Sequence, residues 1–359
     1  MVRPLAVTAG LLGALAANLL GTAPGAAATL FRIEARTTEP LLVSDRPQED
    51  FQVNYVNVIR DGQTWHMWYE AYPHTYQSDA DGYLCYARSV DGVKWEKPNL
   101  GLVEYAGSRA NNIVLAGPPL HGVTGHCVFL DPAAPAAERF KVVFSCFTPA
   151  PGTPWGSQWQ VYGGTSPDGL HWQLIKRPLL ACNSDTQTVC FRDGDLYRMY
   201  VRVWSQGDGQ GRRQVGYTES RTFGNFPAPV VVLAPDETDP RSLHYYNSAA
   251  VKLQDSLYVT FPSVYDAQTG IVIPHLAVSR DGRQWSPVSE VPGLSLGRGF
   301  DGKSIYVGPG AVPGDRPGSW WIYYSGYRTG HDDAFKSKVQ HLGGVGRFLL
   351  VLKDPAVTP

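Results

Sequence analysis

The 359-residue sequence lacks a charge excess of either sign, with 31 Lys and Arg against 32 Asp and Glu. A nucleic-acid footprint needs a basic patch or stripe, so a phosphate-backbone partner is not expected. Methionine occurs only 3 times. The five cysteines (Cys85, Cys127, Cys146, Cys182 and Cys190) show no CxxC spacing, which argues against a metal knuckle or a dithiol redox pair. Cys85 and Cys146 sit in apolar, strand-like runs and read as small buried hydrophobes. No Cys182–Cys190 bridge is expected, because the intervening chain would have to turn back on itself. No segment of useful length carries a helical period. No metal site and no cofactor is expected.

Long apolar runs are also missing, with one exception at the start. Met1-Val2-Arg3 opens positively, Leu5–Leu20 is apolar apart from Thr8 and Asn18, and Ala26-Ala27-Ala28 closes on small residues. That is the three-part layout of a secretory signal peptide, and the run is short for a membrane span. Residues 1–28 are read as that peptide. Residues 29–359 are read as one exported, soluble domain, secreted or periplasmic, with no membrane partner afterwards.

Aromatics are what the chain has in quantity, including 10 Trp and 19 Tyr. They cluster in five segments: Trp65–Tyr72, Phe140–Phe147, Leu196–Trp204, Leu257–Tyr265 and Trp320–Tyr327. Runs of eight or nine aromatic and β-branched residues read as strands. Their starts lie 75, 56, 61 and 63 positions apart, and such a period marks a propeller or array. An apolar strand and a turn precede the runs, as in Asp61-Gly62, Asp193-Gly194 and Asp255-Ser256. A later segment repeats as SxDGxxW, at Ser89–Trp95, Ser166–Trp172 and Ser279–Trp285, with a degenerate copy at Thr218–Phe223. Recurrence once per unit makes it scaffold: Asp-Gly forms a turn and the Trp fills the gap between sheets.

Short sheets need covered edges, and radial repetition supplies the cover. The expected fold is therefore all-β: a single-domain, five-bladed β-propeller with three to four antiparallel strands per blade. Leu30–Ala35 is expected to add a strand to the last blade.

In such a ring the first strand of every blade starts at one mouth of the channel. The residues at those starts are Glu49-Asp50, Gly125-His126, Asp185-Thr186-Gln187, Tyr245-Tyr246-Asn247 and Asp301-Gly302-Lys303. Carboxylates sharing a small basin are pushed apart in pKa, which suits one as acid and another as base. Glu49, Asp50, Asp185 and Asp301 are thus the catalytic candidates for cleaving a glycosidic bond. His126, Gln187, Arg202, Tyr246 and Lys303 are the substrate-binding candidates. Glu70 is a lesser candidate for the rim, and His331-Asp332-Asp333 reads as a solvated loop, with a ligand-binding loop or a metal site as the alternative.

The segment Leu84–Glu104 with Asn111–Val114, and the later Ser184–Gln187, Tyr246–Val251, Phe261-Pro262-Ser263 and Gly299-Phe300-Asp301, resemble bacterial exported propellers. Those are grouped with the five-bladed glycoside hydrolase families 32 and 43. Where family 32 enzymes carry Trp-Met-Asn-Asp-Pro, Arg-Asp-Pro and Glu-Cys motifs, this chain has Gln48-Glu49-Asp50-Phe51, Leu130-Asp131-Pro132 and Asp185-Thr186-Gln187. The resemblance therefore implies a carbohydrate-active propeller of unassigned specificity, with an oligo- or polysaccharide as partner. Two readings stand: a glycoside hydrolase, or a non-catalytic sugar-binding propeller. A sialidase-type hydrolase is weaker, since no Arg cluster marks the strand starts.

Overall fold

The computed structural model describes residues 30–77, 81–116, 122–149, 157–207, 209–333 and 343–353. The expected signal peptide lies outside the described residues. Strands dominate, and all five aromatic segments form the second strand of a sequential antiparallel unit.

Unit one comprises Gln52–Asp61, Thr64–Tyr72, Tyr83–Ser89 and Ile113–Leu115. Unit two comprises Thr124–Leu130, Phe140–Pro149, Ser157–Ser166 and Gln173–Leu174. Unit three comprises Val189–Asp193, Leu196–Trp204, Arg213–Ser220 and Val230–Leu233. Units four and five form one eleven-stranded network, joined by the parallel pairing of Val272 with Ser304. The aromatic strand of unit four is split at Phe261 into Leu257–Thr260 and Pro262–Asp266.

The N-terminal strand Phe31–Arg36 pairs antiparallel with Gly343–Leu352, the last strand of unit five. It lies one residue further along than the sequence suggests and serves the expected purpose. It covers an edge that would otherwise expose free N–H and C=O groups.

The SxDGxxW segments form turns with one internal pattern. In the copy at Ser166, the Asp168 carboxylate accepts from the N–H groups of Leu170 and His171, and Gly169 N–H donates to Ser166 Oγ. Gly169 has φ +75°, and a Cβ there would press on the Trp68 ring, so the position requires glycine. The turn also exposes a carbonyl, which the preceding unit captures. Trp68 Nε1 donates to Gly169 O at 2.8 Å, Tyr200 Oη to Gly282 O at 2.6 Å, and Tyr323 Oη to Gly92 O at 2.7 Å. Each donor is the fifth residue from the start of its aromatic strand. The remaining fifth positions are Phe144 and Phe261, and the units that follow them carry no SxDGxxW turn. Donor and acceptor are present together or absent together.

The core fills the spaces between units. Trp65, Met67, Tyr69 and Tyr323 share one cluster, while Trp68, Phe140 and Phe144 share another. The motif tryptophans pack at such spaces too: Trp95 lies edge-on to Tyr323, and Trp285 edge-on to Tyr200 in a further cluster. Each fully buried aromatic ring of this kind contributes about 2–3 kcal/mol.

Candidate functional site

The first strands are irregular, and the irregularities build the site. In unit one the ladder slips between Asn54 and Asn57, leaving Tyr55 at φ +41°. Unit two slips between Thr124 and Cys127, where Gly125 has φ +63°. A Cβ on Gly125 would overlap the carbonyl of Thr186, so the backbones of units two and three meet there. Unit four slips between Tyr245 and Ser248, and the first strand of unit five is broken between Val307 and Val312. Each slip turns side chains away from strict alternation.

A cavity of about 280 Å³ opens at this end of the strands. Six tyrosines supply much of its wall: Tyr55, Tyr72, Tyr76, Tyr246, Tyr306 and Tyr327. Gln52, Asn54, Thr124, Asp185, Ser304 and His331 add polar groups. Tyr55 Oη pairs with Thr186 Oγ1 at 2.8 Å, Tyr306 Oη with His331 Nδ1 at 2.7 Å, and Tyr327 Oη donates to Asn54 Oδ1 at 2.6 Å. Burial raises the pKa of all three phenols above the ordinary value, so they stay as O–H groups. The site is therefore a wall of rings edged with neutral hydroxyls. Such a surface suits the apolar faces and hydroxyls of a sugar.

One charged pair is built into this wall. Arg202 is buried, and its Nη1 meets Asp185 Oδ1 at 2.6 Å. Its Nε and Nη2 donate to the carbonyl of Tyr246 at 3.0 and 2.6 Å, and the guanidinium lies 4.0 Å from the Tyr246 ring centroid. Burial works to lower the Arg202 pKa, but Asp185 and the neighbouring tyrosines outweigh it and raise it. The second oxygen of Asp185 has no hydrogen-bond partner among the described residues.

The three sequence candidates Asp185, Arg202 and Tyr246 thus meet at one point, and Gln187 sits behind them, accepting from Asn247 at 3.3 Å. The other acids go elsewhere, which corrects the expected convergence. Glu49 is buried against unit one, bonded to Lys97 and to Tyr69 Oη, the latter at 2.7 Å. Its burial raises the carboxyl pKa against the opposing pull of Lys97 and Tyr69. Asp50 is half-exposed and holds His74, by Oδ1 to N–H at 2.7 Å and Oδ2 to Nδ1 at 3.0 Å. Asp301 is drawn under the last unit, where Phe300 stacks on Tyr324. Its carboxylate there pairs with Arg36 and accepts from Tyr324 Oη at 2.8 Å.

Lys303 is exposed, and its N–H bonds Tyr327 O. His126 is fully buried, with Nδ1 3.7 Å from Glu70 Oε1 and no hydrogen bond to either ring nitrogen among the described residues. Glu70 lies directly behind the cavity wall, accepting from Tyr72 Oη at 2.9 Å, Thr124 Oγ1 at 3.2 Å and the Gly125 N–H.

His331 is the residue that sequence reasoning misplaced. It is packed edge-on to Tyr246 and Tyr265 at 4.3 and 4.9 Å, and its side chain is only 15% exposed. The tyrosine wall also went unread, although a signal was present. Every aromatic segment ends on an aromatic residue: Tyr72, Phe147, Trp204, Tyr265 and Tyr327. Two of these line the cavity, and two more flank it.

No family model matches the chain. Two uncharacterized proteins of Mycobacterium tuberculosis, from strains CDC 1551 and H37Rv, are 28% identical over 218 residues. The match covers 55% of this chain and 60% of each relative, less than two thirds of their length. Among solved structures, an N-acetylgalactosamine deacetylase from F. plautii, in complex with blood group B trisaccharide, aligns with a TM-score of 0.62. Its identity is 17%, over 91% of this chain and 97% of that one. A glycoside hydrolase aligns at 0.61 and 12% identity, over 96% of each of the two proteins. A Bombyx mori GH32 β-fructofuranosidase aligns at 0.57 and 11% identity, over 93% of this chain and 65% of that one. The likeness is one of fold, shared with GH32- and GH43-like glycoside hydrolases and related propeller enzymes.

Proposed function

We propose that the five units are the blades of a single-domain, five-bladed β-propeller that acts on a carbohydrate, probing its substrate in the tyrosine-walled cavity. The reaction assigned to it is cleavage of a glycosidic bond. The protein is taken to be exported after removal of residues 1–28. The observation that carries the reading is Asp185, held by Arg202 in the wall of a cavity otherwise made of rings and hydroxyls.

Glycoside cleavage needs one group that gives a proton to the leaving oxygen and another that meets the developing positive charge or activates water. Asp185 takes the second role, offering its uncommitted oxygen. His331 takes the first, as a proton carrier held between Tyr306 and Asp332, whose Oδ1 lies 3.9 Å from His331 Nε2. The tyrosine faces stack on the sugar and fix its orientation, which is where the largest part of binding selectivity arises.

Asp185→Asn and His331→Gln proteins, assayed on a glycan panel beside the wild type, test this. Each substitution should slow cleavage by about a hundredfold or more. Cleavage at full rate in both variants would sink the assignment. The panel includes N-acetylated sugars read for acetate as well as for reducing ends.

A second reading is favoured by one fact: Asp185 is the single carboxylate lining the cavity among the described residues. A sugar-binding propeller without catalysis would show wild-type binding and no cleaved glycan.

A further inference from the structure

The third strand of unit three opens with Arg213, which pairs across the hairpin with Trp204. Its guanidinium lies 4.7 Å from the Trp204 ring centroid, 5.2 Å from Tyr246 and 5.6 Å from Tyr265. Three rings therefore hold one cation beside the cavity wall, and Tyr246 is itself part of that wall. No carboxylate among the described residues forms an ion pair with it, and Asp185 acts on it only from a distance. Arg213 makes no ion pair and no side-chain hydrogen bond there, and its Nε is buried without a partner.

The surrounding charges are already committed. Asp185 belongs to Arg202, and Asp332 accepts from Tyr265 Oη at 2.9 Å. Asp266 is occupied by Thr269 and the N–H of Gln268. Arg212 donates to the carbonyls of Leu243, Asp236 and Pro240. His244 Nδ1 accepts the Arg213 N–H at 3.1 Å. Burial, and then the neighbouring Arg202, lower the Arg213 pKa. The same burial, with Arg213, Arg202 and Arg212 adding to it, lowers that of His244 to about 4. Burial comes first in both shifts, and the neighbouring arginines add to it. A protein does not hold a partly desolvated guanidinium between rings at no cost, and an anion from outside is the natural complement.

We infer that Arg213 receives an anionic substituent of the carbohydrate, so that the substrate is an acidic glycan, bearing a uronate carboxylate or a sulfate ester, rather than a neutral one. The inference rests on the cavity being a carbohydrate site. Ring stacking orients the planar fork of Arg213 before the ligand arrives, which favours two-point contact with a carboxylate or sulfate. The sequence showed no Arg cluster because none stands at the strand starts. Arg202 and Arg213 lie instead on the second and third strands of unit three, near the turn that joins them.

Binding of trigalacturonate and of its methyl ester, measured by calorimetry, is the test, since the two share a skeleton and differ in charge. The wild type should bind the acid at least tenfold more tightly than the ester, as expected for a charge-assisted contact. That preference should weaken with added salt. It should vanish in Arg213→Gln and survive in part in Arg213→Lys, with thermal melting checking that each variant is folded. Galactose 6-sulfate and glucuronate oligomers separate the sulfate from the carboxylate source. Equal binding of acid and ester, or a preference that survives Arg213→Gln, overturns the inference. So does a protein that binds neutral glycans and none of the acidic probes, while leaving the carbohydrate reading intact. Failure to bind any glycan removes both.

Discussion

Trp68 of unit one donates its indole N–H to the carbonyl of Gly169 in unit two, at 2.8 Å and fully buried. The same bond recurs from Tyr200 to Gly282 and from Tyr323 to Gly92, so the repeated motif is a fastening between neighbours. Trp68→Phe keeps most of the ring and removes the donor, leaving a buried carbonyl unpaired. The loss should be about 1–3 kcal/mol. Denaturant midpoints would show it, and an unchanged midpoint would deny the bond any stabilising role.

The Asp301 carboxylate stitches Arg36 of the N-terminal strand to Tyr324 of the last unit. Asp301→Asn leaves the largely buried Arg36 without its counter-charge. A cost of about 3 kcal/mol is expected, at the low end for a broken buried pair because Arg36 keeps some exposure. Catalysis per folded molecule should be unaffected. A variant of normal stability with greatly reduced turnover would return Asp301 to the catalytic set.

Acid should weaken the protein before its carboxylates titrate. Burial and neighbouring arginines hold His244 down to about 4 from its ordinary 6.5, and burial also lowers His66 and His275. The unfolded state therefore binds protons that the folded state refuses, and stability falls as the pH drops from about 6.5 towards 4. His244→Asn should flatten part of that slope in denaturant titrations from pH 7 to 4. An identical slope in the variant would remove His244 from the explanation.

All five thiols are free, and four of them are buried. Burial pushes the Cys127 and Cys182 thiols up to about 12, and raises those of Cys85 and Cys190 well above the ordinary value. Thiolate is the reactive form, so a disulfide reagent at pH 8 should label the native protein only very slowly. Denaturant should then release five reactive groups. Rapid labelling of the native protein at Cys127 or Cys190 would contradict the packing between units two and three.

Strand identity was legible because it rests on composition over eight or nine residues, which no local irregularity erases. Asp61-Gly62 and Asp193-Gly194 marked their hairpins for the same reason, both glycines having φ +60°. The acid site was not legible, because it depended on which way single side chains point. Tyr55, at φ +41° within a ladder slip, points to the cavity against the alternation of its strand. Asp301 goes the other way, since its neighbour Phe300 is worth more stacked on Tyr324 than exposed to water. Asp185 was found because it enters the strand Val189–Asp193 beside Arg202 of the strand paired with it. Arg213 was invisible, as no sequence rule pairs a hairpin's first residue with the ring opposite and two rings from another unit.

The strand Phe31–Arg36 lies against Gly343–Leu352 in a register that sets Phe31 beside Leu352, and Lys353 N–H bonds Leu30 O. The first and last described strands are thus immediate neighbours, and the path of the chain is nearly a closed loop. Joining residue 353 to residue 30 through a short linker and cutting at the exposed Gly194-Asp195 turn would reorder the sequence while leaving the sheet pairings in place. The order in which the units are written along the chain is, for this architecture, a matter of convention.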